Sequence, residues 1–584
     1  MCYDKKKLCM EGIAVKCPVC DQLNTSMLCP HCGFDASRDY ENYPTFGIVR
    51  NVPAISARQA ERNGGPGTAQ QLLNRVAELE HQIRSMTETN RLLLEKLSAF
   101  DSQTDVPSPL PTKPTATRKP NLLRPDPLST ADNQCRALGG SYPVFGAKLR
   151  RSQIASVTFL DTLTNAPEDT WDVSADRSGS VQAWAVAVGE LYDLYLAADG
   201  EIAAPESCKE LFAGYRNMRR VRFGNCFNTS NVKNMNGMFH ECSSLRVLDL
   251  RSFDTSKVQC MSLMFKDCSS LTTLNLSSFD TSKVQDMSWM FWNCKSLTSL
   301  DLSGFDTSNV QDMDHMFYRC VSLITLDLRS FHTSNVRYMD HMFSECCSLT
   351  ALDLGSFDTS RVQDMSRMFW YCKSLTKLDL SSFDTYKVQS MHEMFYGCLS
   401  LSALDLRSFD TYMVQDMSCM FYFCISLTEL DLRSFDTSRV QDMSYMFADC
   451  SSLTKLDLRS FHTSNVRYMY WMFIGCSSLT KLDLSSFDTS RVQNMHGMFD
   501  GCSSLTKLDL RRFDTSRVQD MDSMFYACSS LTKLDLSSFN TSNVQNMEGM
   551  FQYCSSLTTL KRSDLFVTAN AKTVNMFVDC PAGK

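Results

Sequence analysis

Large apolar residues recur at a fixed 26-residue interval from about Phe227 to the C-terminus, and the polar residues between them keep the same register. In the unit 297–320, Leu297, Leu300 and Leu302 take the L-x-x-L-x-L spacing of a short strand, and Phe305 follows as an inward spine residue. Asp306, Thr307 and Ser308 then read as a turn. Beyond inward-facing Val310, Met313, Met316, Phe317 and Cys320 stand at i, i+3, i+4 and i+7, which predicts a short helix with that face inward. Asp312, just before it, is the expected N-cap. Cysteines at 242, 268, 294, 320, 346, 372, 398, 424, 450, 476, 502, 528, 554 and 580 mark one column of this pattern. A single unit has no second layer against which to bury its apolar face, so units must stack. The expected architecture is an α/β repeat solenoid of the leucine-rich-repeat type.

The pattern degrades at both ends, as caps require. Residues 208–223, with Leu211, Phe212, Met218, Val221 and Phe223, form a degenerate unit one residue out of register. Upstream, β-like runs at 155–160 and 191–196 and the Asp199-Gly200 turn signal predict a capping domain over 135–225, ahead of repeats at 226–584. The last unit keeps Met576, Phe577 and Cys580 but lacks the Phe-Asp-Thr-Ser turn.

Two smaller devices precede the cap, separated by linkers at 36–67 and 101–134, the second proline-rich. Within 68–100, Leu72, Val76, Leu79, Ile83, Met86, Asn90, Leu93 and Leu97 alternate by four and three, and Phe100 continues the series. That is a coiled-coil seam, and Asn90 at an a position favours two parallel strands, so a homodimer is expected. The flanking linkers argue against a helix packed on its own chain. Within 1–35, Cys17-Pro-Val-Cys20 and Cys29-Pro-His-Cys32 supply two C-x-x-C knuckles. Four thiolates at this spacing suit one structural zinc ion in a zinc ribbon. A redox pair would need a βαβ context that the segment lacks. Cys2 and Cys9 are not spaced for this site.

The repeats F-D-T-S-x-V-x-x-M-x-x-M-F-x-x-C-x-S-L-x-x-L-D-L resemble the BspA-type leucine-rich-repeat surface proteins of bacteria, over about residues 140–584. That resemblance implies an interaction or adhesion module without catalysis. The chain departs from such surface proteins at its start, where the first 30 residues hold no apolar secretion segment. No apolar run long enough for a membrane span is present either.

Composition narrows the partners. The chain has 584 residues, a net charge of −7 and a pI near 5.8. That balance gives no sign of a nucleic-acid binder, and the mildly basic stretch 113–124 reads as solvated linker. Most of the 26 cysteines fall on the repeat column, where each is a small buried apolar thiol rather than half of a disulfide. With the thiolate zinc site, they point to the reducing cytoplasm.

The inward columns barely change between units, whereas the outward positions of the expected helix vary. Trp289, Trp292, Tyr318, Trp370, Tyr371, Tyr422, Tyr445, Tyr470 and Trp471 place aromatics on that variable face. Interface hot spots use such residues, drift on an unconstrained surface being the alternative. The strand face instead repeats aspartate, as in Asp301, Asp327 and Asp379, which Lys377, Lys455, Lys481, Lys507 and Lys533 can answer diagonally. His315 and His341, one unit apart and each after an aspartate, could pinch a metal ion. No Ser-His-Asp arrangement, phosphate loop or dinucleotide fingerprint stands out, so no enzyme is expected. The expected function is a non-enzymatic scaffold that captures a protein partner on the solenoid and becomes multivalent through the coiled coil. The alternatives are a BspA-type adhesin exported by another route and a zinc-ribbon regulator that touches nucleic acid.

Overall fold

The computed structural model describes residues 15–16, 23–24, 121–124, 144–145 and 149–583. The cysteines at 17, 20, 29 and 32 and the seam from Leu72 to Leu97 lie outside the described residues. The chain divides into two compact units, Met1–Thr117 and Arg118–Lys584. In the first, Val15–Lys16 pairs antiparallel with Leu23–Asn24.

The second unit is built on tandem 26-residue repeats, each forming one rung. Short parallel strands stack in register, Val247 opposite Thr273, Ser299 opposite Thr325 and Lys481 opposite Lys507. A second ladder of single bridges runs through Asn234, Cys260, Asp286, Asp312 and Tyr338 and continues to Lys572. The predicted inward side chains of the unit 297–320 are all buried, Leu300 being the most exposed of them at 7%. Two phenylalanine stacks thread the core. Phe291, Phe317 and Phe343 lie with centroids 5.7 Å apart, and Phe331 and Phe357 belong to a second, looser stack at 6.4 Å.

The segment expected to be helical is not a helix, and among the described residues there is no α-helix. In the rung 287–294, Met290, Trp292 and Cys294 donate their N–H groups to carbonyls three residues back, closing successive turns. Met287, Trp289, Phe291 and Asn293 instead donate to Asp312, Asp314, Met316 and Tyr318 of the next rung. An α-helix sends every N–H along its own axis, four residues back. Here alternate N–H groups point along the solenoid, so the turns themselves join neighbouring rungs. Left-handed residues make this possible: φ is 60° at Trp289 and 62° at Asn293, and the same positions repeat in later rungs, as at His315 and Arg319. Turns of this kind reproduce the i, i+3, i+4, i+7 inward spacing, which is why the pattern reads as helical. Asp312 accordingly caps no helix; its Oδ1 accepts the Asp314 N–H at 3.0 Å in a local turn.

A left-handed conformation costs a side-chain-bearing residue about 1–2 kcal/mol, and glycine avoids it. Gly397, Gly475 and Gly501 take the position before the column cysteine with φ between 69° and 71°, whereas Ala527 takes it at 53°. Ala527→Gly is therefore expected to stabilise the array by about 1 kcal/mol. Urea unfolding measures this, and a lower midpoint for the variant would refute the strain argument.

Two buried polar columns complete each rung. Thr307 donates its hydroxyl to the His332 carbonyl at 3.0 Å and accepts the His332 N–H at 2.7 Å, and Thr281, Thr333 and Thr359 donate likewise to their following rungs. The column cysteines are free thiols whose Sγ–H groups donate to a phenylalanine carbonyl of the preceding rung, as Cys294 does to Phe265 at 3.1 Å. On the strand face the aspartates are held by the residue two positions on. Asp327 and Asp405 are gripped bidentately by Arg329 and Arg407, while Ser303 caps Asp301. Lys455 pairs with Glu429 instead, so the diagonal lysine pairing expected from sequence does not form there.

The N-terminal cap starts the ladders. Its five-stranded mixed sheet runs in the order Trp171–Asp172, Gln182–Val188, Leu191–Ala197, Ile154–Leu160, Arg220–Arg222, and the last strand belongs to the degenerate unit. Ser207 bridges Asn234 at the head of the second ladder. Phe227–Asn228 pairs with Ile202–Ala203, which pairs with Asn121–Leu122. Residues 121 and 122, placed by sequence in the proline-rich linker, are therefore a strand of the cap. Arg151, 1% exposed, ties the sheet to the degenerate unit within the cap by donating to the Glu210 and Ala213 carbonyls at 2.8 Å.

Candidate functional site

The variable turn face is an edge on which side chains of successive rungs stack. Rungs about 4.8 Å apart bring planar groups at equivalent positions into van der Waals contact. Trp289 lies on His315 with centroids 4.1 Å apart, His315 on His341 at 4.3 Å, and Trp292 on Tyr318 at 5.6 Å. The Lys266 ammonium stands 4.6 Å and 4.4 Å from the rings of Trp289 and Trp292. Trp289 Nε1 donates to Asp314 at 2.8 Å, and the Tyr318 hydroxyl donates to Glu345 at 3.2 Å. These rings are half-buried, so each shows one edge outward while its faces are occupied.

The other aromatics fall into two groups. Trp370, Tyr371, Tyr470 and Trp471 are half-buried like the first cluster, with Trp370 stacked on Tyr396 at 5.5 Å and Trp471 4.5 Å from His496. Tyr422 and Tyr445, read from sequence as surface, are only 4% and 8% exposed. They stack on one another at 5.2 Å, and Trp471 lies 4.9 Å from Tyr445. Stacking along the array has drawn them inward, so they supply packing rather than contact area.

Sequence reasoning passed over four of the exposed tyrosines among the described residues. Tyr338 and Tyr468, 44% and 40% exposed, replace the usual aspartate or asparagine of the bridge column. Tyr386 and Tyr412, 52% and 39% exposed, replace the serine of the Asp-Thr-Ser turn, and Arg439 lies over Tyr412 at 4.5 Å. The signal was present as departures from the column residue at those four positions.

Electrostatics single out one stretch of the turn edge. Burial, with Asp314 and Asp286 close by, pushes the Asp312 carboxyl up to about 7, and burial with Asp314 and Asp364 pushes Asp340 up to about 6. Burial and the neighbouring His315 hold His341 down to about 3. In contrast, Glu393 is held at about 2, His392 and Arg367 outweighing the burial that opposes them. Near the N-terminus, Cys17 and Cys20 fall in sequence between the paired strands Val15–Lys16 and Leu23–Asn24.

The repeats match the family model described as "Mycoplasma protein of unknown function, DUF285" over residues 206–322, 297–404, 398–483 and 475–583. The chain belongs to this family. The DUF285 matches start at residue 206, where the first bridge of the second ladder forms, and run through the C-terminal rung. No curated protein and no solved structure matches the chain. Among the described residues, no helix is long and apolar enough to cross a membrane.

Proposed function

We propose that this chain is a non-enzymatic protein-binding scaffold of leucine-rich-repeat character, akin to the BspA-type proteins its repeats resemble. It captures a protein partner on the aromatic turn edge. Residues 68–100 associate as a coiled coil and make it multivalent, and Cys17, Cys20, Cys29 and Cys32 hold a structural zinc ion. One observation carries the reading: a nearly invariant core presents a variable edge on which Trp289, Trp292 and Tyr318 form an aromatic cluster on adjacent rungs. Their faces are already braced by Lys266, His315 and one another, so little rotamer entropy remains to be lost on binding. Free buried thiols throughout the array fit a reducing compartment, and the cytoplasm is the proposed location.

The experiment is capture by the full chain against its Trp289→Ala/Trp292→Ala variant. Affinity for the captured protein should fall more than about tenfold, ~1.4 kcal/mol. Because Trp289 also bonds Asp314 and both rings carry Lys266, the variant should lose about 1–3 kcal/mol of stability as well. Asp301→Ala/Asp327→Ala on the strand face should leave binding unchanged; the reverse pattern would put the partner on that face. Deleting 68–100 should give a monomer by sedimentation with the array still folded.

A further inference from the structure

Two consecutive rungs carry the dipeptide Asp-His between the column methionines, Asp314-His315 and Asp340-His341, and no other rung does. Parallel stacking brings the two together, with imidazole planes 18° apart. His315 Nδ1 lies 2.9 Å from Asp314 Oδ2 and 3.8 Å from Asp340 Oδ2, so carboxylates from two rungs converge on one ring. Ligand atoms of His315, Asp340 and His341 all lie within 4.8 Å of one another. Among the described residues no lysine or arginine forms an ion pair with Asp314 or Asp340, and Arg367 on the next rung is paired with Glu393 at 2.8 Å.

We propose that His315, His341 and Asp340 bind one divalent first-row transition ion of the zinc or nickel type, with Asp314 positioning the His315 ring. Two imidazole nitrogens and a carboxylate oxygen suit such ions, whereas calcium and magnesium call for oxygen donors throughout. The surrounding bonds follow the usual pattern for a metal-bound histidine, whose second nitrogen is held by a neighbour. His315 Nδ1 meets Asp314, and His341 Nδ1 lies 3.2 Å from Ser344 Oγ, so Nε2 of each ring is the ligand atom, and the Asp340 carboxylate, which stands 3.8 Å from His315 Nδ1, has to turn toward it to complete the site. Bonds of about 2.0–2.2 Å place ligands roughly 3.4 Å apart, so the side chains need to close by about 1 Å, a matter of χ rotation on a backbone fixed by the ladder. Trp289, stacked on His315, shields one side of the cluster from water.

Cobalt(II) titration of the full chain with Cys17, Cys20, Cys29 and Cys32 changed to serine tests the site. One equivalent should bind, with visible ligand-field absorption and no thiolate charge-transfer band, and should quench emission that Trp289→Phe removes. Asp314→Asn should weaken binding roughly 10–100-fold and His315→Gln/His341→Gln more, while His240→Gln, in the cluster with Glu241 and Asp267, should leave it unchanged. Asp340→Asn serves in place of the double histidine variant if that one loses its circular dichroism. No bound cobalt in the four-serine protein, or equal affinity without His315 and His341, overturns the proposal. In the protein that keeps its cysteines, absence of a charge-transfer band would instead overturn the zinc-ribbon reading and leave this one standing.

Discussion

Between about pH 9 and pH 12 the array is expected to lose stability steeply, because its cysteine column must stay protonated to remain folded. Burial pushes the Cys320 and Cys424 thiols up to about 12, and Cys294, Cys346 and Cys450 well above the ordinary range. An unfolded chain gives up the same protons near pH 8.5. Above that point the unfolded state holds fewer protons than the folded one, so stability falls as pH rises; below it the contribution is fully present. Each buried thiol removes about 1.4 kcal/mol per pH unit across this window. Four rungs unfolding together would lose on the order of 5 kcal/mol per pH unit. Urea melts at about pH 8, 9 and 10 measure the slope, and Cys320→Ala should make it shallower by one increment. A midpoint that does not move between about pH 8 and pH 10 would show that the thiols ionise inside the folded array.

Phe317→Ala is expected to cost roughly 3–5 kcal/mol. The ring is fully buried and lies between Phe291 and Phe343 in a continuous stack with 5.7 Å spacing. Truncation leaves a void that neighbouring rungs cannot fill, because each is held at its own register by the bonds of the turns. Coupling to both neighbours is lost at once, so the N-terminal and C-terminal blocks should begin to melt separately. Denaturation followed by tryptophan emission should show two transitions where the parent shows one, and Phe317→Leu should recover most of the loss. A cost below about 1 kcal/mol would mean that the stack does not couple the rungs.

The 26-residue register and the inward columns were legible in the sequence, because burial alternates too regularly for any other arrangement to satisfy it. The helix was not. Met313, Met316, Phe317 and Cys320 constrain which side chains face inward and say nothing of where each N–H points, and the left-handed φ at His315 and Arg319 is marked by glycine only in other units, as at Gly497 and Gly501. Thr307 escaped notice as a buried bridge because threonine in an Asp-Thr-Ser turn reads as solvent-facing. The variable edge was readable from the differences between units, but the burial of Tyr422 and Tyr445 was not. Whether a ring stands out or lies down depends on the residue one rung away, 26 positions along the chain.

Because alternate turn residues of each rung bond to the rung next to it, the array has a defined response to being pulled from its ends. The bonds broken in peeling one rung are the same bonds that hold the next. Tension would therefore release the chain in even steps, each freeing one 26-residue coil, on the order of 90 Å of contour length. The structure would act as an extensible tether that lengthens by fixed increments and rewinds onto whatever part of the template is still folded.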